Sequence, residues 1–299
     1  MNNARGAELL PANNHQWVLL DYLRVHGPCA RIDIGEQLGL SPASITAITA
    51  ELINQGWLCQ SEAEMDTAKG GRGRPKILLD LVPRSIAVTC VKLRIDCIEL
   101  VLGNAKGELV YSQQHAAAPS ELSAEHLVEL ISSLVESFEQ EHAAHYHRTG
   151  VLCIAVQGLV DRLTGSIAWS PALSVRQMAI ADQLGRKLER TVELSNDANC
   201  IALALQQSRR FNHHNDMAVI MLGYGVGMGL IINGGLYHGH HGSAAEFGHS
   251  KYSLDGPLCH CGRRGCIEAY VGDYAPYRDG QKLLKLPPCH GHHPSEAQM

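Results

Sequence analysis

The stretch Cys259-His260-Cys261-Gly262-Arg263-Arg264-Gly265-Cys266-Ile267-Glu268, with Ala245-Glu246-Phe247-Gly248-His249 just ahead of it, decides the reading of this chain. Three thiolates and one imidazole meet the four-coordinate requirement of zinc. Cys259 and Cys261 fall in a turn, and Cys266 follows the flexible Gly262-Arg263-Arg264-Gly265. A filled shell of three cysteines and a histidine leaves no position for a reactive water. The expected ion is therefore structural Zn2+, held by His249, Cys259, Cys261 and Cys266. The alternative is a set of reduced thiols that happen to be close. His260, between two ligands, is expected to point away, and the other histidine clusters (His238, His240 and His241, and the tail around His290) are read as solvated.

The rest of the composition suits that context. The chain has 299 residues, 45% hydrophobic and 18% charged, with ten cysteines and a net charge of -5. That length gives one or two domains with room for a real core. No apolar run approaches the ~20 residues of a membrane span, and the N-terminus lacks the apolar core of a secretory signal. A cytoplasmic, reduced setting with no membrane partner is expected. Cys29, Cys90, Cys97, Cys153 and Cys200 each sit alone among apolar residues and read as small buried hydrophobes.

Upstream of the metal motif, strands and helices alternate. Ile86–Val91, Ile98–Val101 and Glu108–Tyr111 read as strands, with Gly103–Gly107 a turn. Ser123 to about His142 reads as a helix, Val151–Val156 as a strand, and Gly158–Pro171 as a loop. A helix from about Met178 to Leu188, strand Thr191–Leu194, helix Ala198–Gln207 and a hairpin over Met217–Tyr237 follow. Asn196-Asp197-Ala198-Asn199 lies where a strand feeds a helix. A carboxylate there can accept a ligand hydroxyl, or take its proton in a kinase; the plain alternative is a helix cap. Glu246 stands beside the metal-ligating His249, whose second ring nitrogen needs a partner, and a sugar hydroxyl would serve. Gly223-Tyr224-Gly225-Val226-Gly227-Met228-Gly229 is either a weak phosphate signal or a tight hairpin turn.

The first 80 residues differ in texture. Residues 15–60 read as three helices. The first carries Leu19, Leu20 and Leu23, the second Ile34 and Leu38. Ser41 caps the third, with Pro42 in its first turn. Its apolar face is Ile45, Ile48, Leu52 and Ile53, and Ala43, Ser44, Thr46 and Ala47 are left exposed. Two apolar stretches, Trp57–Cys59 and Ile77–Leu79, flank the basic run at 69–76, giving a winged helix-turn-helix. Ser44, Thr46 and Ala47 are the expected major-groove readers, and Arg72 and Arg74 the minor-groove contacts of the wing. Residues 69–76 also read as an interdomain linker. Net charge does not announce DNA binding; the fold and that basic run do.

Together these residues resemble the ROK family of sugar kinases and sugar-responsive repressors. The resemblance spans nearly the whole chain, through Gly158-Leu159-Val160-Asp161, Asn196–Asn199, Ala245–His249 and Cys259–Glu268. It implies an α/β fold: a winged helix-turn-helix over residues 1–80 and an actin-like domain over 81–299 with its second lobe incomplete. It also implies a sugar site at Asn196, Asp197, Glu246, His249 and Glu268 between two lobes. Family kinases carry Asp-x-Gly-Gly-Thr on the first strand hairpin; here the stretch is Lys92-Leu93-Arg94-Ile95-Asp96, without the glycines, and Lys92 replaces the carboxylate. Tyr224 stands where kinases have Thr. The family's Pro-Asn-Leu is Pro171-Ala172-Leu173, and its Ala-Gly-Glu is Ala244-Ala245-Glu246. The resemblance thus implies no catalytic residues and a repressor that binds an operator duplex and a sugar effector. Relatives run on for about a hundred residues, enough for most of a further lobe. A C-terminally truncated chain is expected, with homo-oligomer contacts only where that lobe is complete. An active sugar kinase, or a remnant that binds DNA but senses nothing, are the alternatives.

Overall fold

A Ser–Pro start sets the third helix. Ser41 is extended, and its hydroxyl accepts the Ser44 N–H at 3.1 Å, while Pro42 occupies the first turn. The computed structural model describes residues 14–62, 77–208, 210–240, 242 and 244–284. Helices α1 (Asn14–His26), α2 (Arg31–Leu38) and α3 (Pro42–Asn54) are joined by short turns. Gly39 ends α2 in the left-handed conformation, φ 64°. Leu19, Leu20, Leu23, Ile34, Ile45 and Leu52 form one core with Trp57, Leu58, Leu79 and Leu81. The last four sit in or beside β2 (Leu58–Glu62) and β3 (Ile77–Leu81), an antiparallel pair in register from Leu58↔Leu81 to Glu62↔Ile77. A short strand β1 (Cys29–Ala30) adds to the far edge of β3. This is a winged helix. Residues 63–76, with Arg72 and Arg74, lie outside the described residues.

The first α/β sheet comprises β4 (Ala87–Leu93), β5 (Cys97–Asn104), β6 (Leu109–Ala116), β7 (Thr149–Val156) and β10 (Val192–Asn196), in the order β10-β7-β4-β5-β6. β4, β5 and β6 form an antiparallel meander, and β7 returns parallel to β4. That return needs a crossover, supplied by α4 (Ala124–His142), capped by Ser123. Along β4, Ala87, Thr89, Val91 and Leu93 are buried and the residues between them are not, the period of two of a strand with one covered face. Leu127, Ile131, Val135 and Phe138 of α4 supply a matching buried stripe. Glu139 of α4 takes the Thr89 hydroxyl at 2.5 Å and Arg190 at 2.8 Å; Arg190 follows α5 (Ile180–Leu188).

The chain forms two compact units. The first holds the described residues up to Val156 together with Trp169–Leu194; the second holds Gln157–Ala168 and the described residues from Ser195 onward. The second unit contains α6 (Asp197–Gln206), the antiparallel sheet β11-β12-β13 (Met217–Leu222, Val226–Ile232, Gly235–Leu236) and helices α7 (Glu268–Val271) and α8 (Tyr274–Leu284). The expected Gly158–Pro171 loop instead contains a hairpin, β8 (Leu159–Asp161) with β9 (Ser166–Trp169). Asp161 accepts the Leu163 and Thr164 N–H groups and tightens its turn. The expected strand at 108–111 runs on to Ala116: Ser112–His115 carry no apolar alternation because β6 is a mostly exposed edge strand. Among the described residues, no helix is long and apolar enough to cross a membrane.

Within the first unit, the winged helix is tied to the sheet by Arg148, just before β7. Its guanidinium donates to Gln55 O at 2.6 Å, at the end of α3, and to Ser85 O at 3.1 Å, and lies 4.7 Å from the Trp57 ring centre. Lys106, in the β5–β6 turn, pairs with Asp80 of β3 at 2.6 Å. Arg148→Ala should leave two carbonyls without their charged donor and cost about 1–3 kcal/mol. Lys cannot reproduce a planar two-carbonyl fork stacked on a ring. Urea unfolding is expected to show a lower midpoint for Arg148→Ala and only partial recovery with Arg148→Lys; wild-type midpoints for both would refute the tie.

Candidate metal centre and ligand site

Two turns of the second unit converge on one cluster. The Phe247–His249 turn supplies His249, and the segment before α7 supplies Cys259, Cys261 and Cys266. Their donor atoms all lie within 4.8 Å of one another. Cys259 Sγ is 3.7 Å from His249 Nδ1, and Cys261 Sγ is 3.7 Å from Cys266 Sγ. Metal–ligand bonds of about 2.0–2.3 Å in a tetrahedron give edges of roughly 3.5–3.8 Å. The two closest pairs have that spacing, so the donor set fits a small tetrahedral ion. Cys259 and Cys266 are buried and Cys261 partly so. Backbone bonds fix the frame: Cys259 N–H donates to Arg263 O, Gly262 N–H to Cys259 O, and Ile267 N–H to Ser250 O.

Burial pushes the Cys259 thiol up to about 12, and the neighbouring Glu268 adds to the rise. A bound divalent ion inverts that preference by favouring the thiolate. Burial also acts against ionisation of Cys261, but the Arg263 N–H, the adjacent thiols and the Lys251 charge outweigh it and lower its pKa. Burial raises the Glu246 carboxyl, with His249 opposing and Glu268 reinforcing the shift.

His249 faces both ways. Nδ1 looks toward Cys259, whereas Nε2 is 3.7 Å from Glu246 Oε2. Glu246 is half exposed. Glu268 is buried: it accepts Val226 N–H at 3.1 Å, the Cys259 thiol at 3.3 Å and the Tyr274 hydroxyl at 3.5 Å. Asn196 caps α6, accepting from Ala198 and Asn199 N–H and donating to Gly158 O at 2.8 Å. Asp197, also buried, begins that helix.

The start of β12 joins these parts. Val226 N–H reaches Glu268, and Gly248 backs onto the Val226 carbonyl so closely that a Cβ there would come within 2.2 Å of it. On the other side α6 packs against β12, where a Cβ on Gly229 would lie 2.4 Å from Ala202 Cβ and 2.5 Å from Ala198 O. The glycine run at 223–229 therefore makes a hairpin turn, with Leu222 paired to Val226, and a surface that a helix can approach. Sequence reasoning missed Gln157, whose amide packs over Gly225, and the ring group of Tyr224, His260 and Tyr274. His260 is exposed yet stacks on Tyr274 at 3.9 Å. No periodic signal marks such contacts in the sequence.

The DNA-facing candidates of the first unit stand apart. Ser44, Thr46 and Ala47 are exposed on the first turns of α3. Thr46 donates its hydroxyl to Pro42 O at 2.7 Å, leaving lone pairs and a methyl group outward. Ser44 and Ser41 hydroxyls are 2.8 Å apart.

Comparison with known proteins agrees with this division. The ROK family profile matches residues 88–293, and the MarR family profile matches residues 12–66. The chain is 27% identical over 263 residues to the DNA-binding transcriptional dual regulator NagC of Escherichia coli K12, covering 87% of this chain and 63% of that protein. It is 28% identical over 258 residues to the xylose repressor of Caldicellulosiruptor bescii, covering 86% and 63%. The chain thus spans less than two thirds of the length of these relatives. Among solved structures, a ROK family transcriptional regulator homologous to the E. coli MLC protein aligns with a TM-score of 0.74 and 24% identity, over 91% of this chain and 69% of that one. A ROK family glucokinase from Streptomyces griseus, solved with glucose and AMPPNP, aligns with a TM-score of 0.58 and 28% identity, over 67% and 61%.

Gly229→Ala should force β12 and α6 apart at a cost of about 1–3 kcal/mol. Urea unfolding followed by circular dichroism is expected to show the loss, and an unchanged midpoint would mean the approach of helix and strand is not constrained.

Proposed function

Because the chain belongs to the ROK family, we propose that it is a sugar-responsive transcription regulator, acting as a repressor of sugar metabolism genes in the cytoplasm. The observation that carries this reading is the joining, in one chain, of a winged helix with an exposed, capped third helix and a ROK α/β fold. Residues 1–80 form the operator-binding part and 81–299 the effector part. In α3, Ser44, Thr46 and Ala47 face the major groove, and their small size makes base readout modest, through hydroxyl and thymine-methyl contacts. Arg72 and Arg74 supply minor-groove contacts and salt dependence.

The metal is Zn2+, held by His249, Cys259, Cys261 and Cys266 and structural in role. It stabilises the turns that carry Glu246 and His249. The sugar, or sugar derivative, binds through Asp197, Glu246 and His249 Nε2. Asn196 and Glu268 complete the site, and because both are committed to backbone partners their main part is to hold its shape. Such a ligand regulates only if it binds one conformation better than another.

This reading includes no phosphoryl transfer, which depends on cradling phosphates and neutralising their charge. The β4–β5 connection supports that view: Arg94 N–H closes on Cys97 O at 3.0 Å, and Lys92 stands within β4. A sugar kinase remains the second reading, favoured by the retained Asp197 and by the likeness to the S. griseus glucokinase.

Titration calorimetry over hexoses, pentoses and their N-acetyl and phosphate forms is expected to show binding that Asp197→Asn weakens by ten-fold or more, on the scale of about 1.4 kcal/mol per decade. ATP turnover with any of these sugars, abolished by the same variant, would instead establish the kinase. For DNA, selection from a random duplex pool followed by salt titration is expected to give a flatter salt slope for Arg72→Ala/Arg74→Ala and a changed sequence preference for Thr46→Ala. A double arginine variant that binds like wild type at all salts would make residues 69–76 a linker only.

A further inference from the structure

We propose that Lys251 is a positioning residue of the metal centre: its ammonium donates to the Cys266 thiolate, balances the cluster's charge and shields that sulfur from electrophiles. The inference rests on the zinc reading above. Lys251 Nζ lies 3.2 Å from Cys266 Sγ and 2.5 Å from Arg264 O. The backbone places it there, because Lys251 and Cys266 face each other in an isolated antiparallel bridge. Ile267 N–H donates to Ser250 O on the same ladder. The lysine stem is exposed while its head reaches a buried sulfur, an arrangement that suits a long amphipathic side chain.

The charges explain why a cation belongs at this point. Three thiolates, one neutral imidazole and a divalent ion sum to one net negative charge. Cys266 is fully buried and Cys259 nearly so, so water screens that charge poorly. One ammonium at hydrogen-bond distance offsets that charge on the Cys266 side, whereas the buried Glu268 adds to it on the Cys259 side. An N–H donor also withdraws electron density from the thiolate it touches. Cys266 is thereby a weaker nucleophile but remains oriented toward the ion. The neutral hydrogen bonds that frame the other ligands cannot supply this charge, and the Cys259 side instead meets a carboxylate, Glu268, at 3.3 Å. Among the described residues, Lys251 places its cationic head against a ligand sulfur.

Outer partners of metal ligands typically change metal affinity by about 10–100-fold when removed. The test uses the whole chain, loaded with Zn2+ or Co2+, as wild type, Lys251→Met and Lys251→Arg. Zinc release to a chromophoric chelator and alkylation by iodoacetamide should both be about ten-fold faster in Lys251→Met. The sulfur-to-cobalt charge-transfer band should shift to lower energy, because the thiolate has lost its donor. Lys251→Arg should restore the band and the rates. A role confined to packing would leave the band in place. If wild type binds the metal and Lys251→Met shows the same band and the same rates, the proposal is overturned while the zinc reading stands. If wild type binds neither ion, both fall together. Lys251 is exposed, so the neutral variant is expected to fold; should it not, a Lys251→Arg protein with altered band and fast release would equally overturn the proposal.

Discussion

Four donor atoms within 4.8 Å of one another bring two turns of the second unit together. Three are sulfur donors from one short segment, and the fourth is an imidazole from a turn ten residues earlier in sequence. Among the described residues, the buried hydrophobic cluster there is small: Cys259, Cys266 and Ala269, with Cys261 packed beside it. So few apolar atoms cannot offset the conformational entropy of ordering those loops. On the zinc reading a metal would, since binding free energy at a structural site is folding free energy. On that reading the position of His249, and with it Glu246, would depend on the cluster being closed.

From that cluster the neighbouring polar groups follow by contact. Val226 donates to Glu268 and touches Gly248, so the β12 start is locked to the two turns of the cluster. Across the strand, α6 brings Asn196 and Asp197 to the same neighbourhood, and glycines along β12 make that approach possible. On the sugar-binding reading, a polyol would meet one helix start, one half-exposed carboxylate and one imidazole nitrogen. The first unit solves a different problem. There the winged helix has a conventional apolar core, and Arg148 and Lys106 attach it to the sheet by charged bonds.

How much of this was legible in the sequence follows from the kind of signal each part carries. Ser41-Pro42, the periodic leucines and isoleucines, and Gly39 announced the three helices, because caps and periodicity are local. Cys259-x-Cys261 and Cys266 announced a cluster, because donor type and spacing are nearly sufficient for one. The full length of β6 has no sequence signal because an exposed edge needs no apolar alternation, and the β8–β9 hairpin has little because its turn rests on the Asp161 hydrogen bonds. Asn196 illustrates a deeper limit. Its sequence context fits a cap and a sugar contact alike, and the cap is what its hydrogen bonds show. Glu268 likewise looks like a ligand contact in a motif, yet it is buried among three donors. Long-range partners such as Arg148 with Gln55, or His260 with Tyr274, have no local signature at all.

The central claim is that a metal closes the 245–270 region and so sets the ligand site, independently of the first unit. Amide hydrogen exchange on the whole chain, with zinc bound and after chelation, addresses it most directly. The account predicts that metal removal raises exchange across residues 245–270 and the start of β12, while α4 and the β4–β7 strands keep their protection. Unchanged exchange in 245–270 after complete metal removal, or an equal loss of protection throughout the chain, would contradict it.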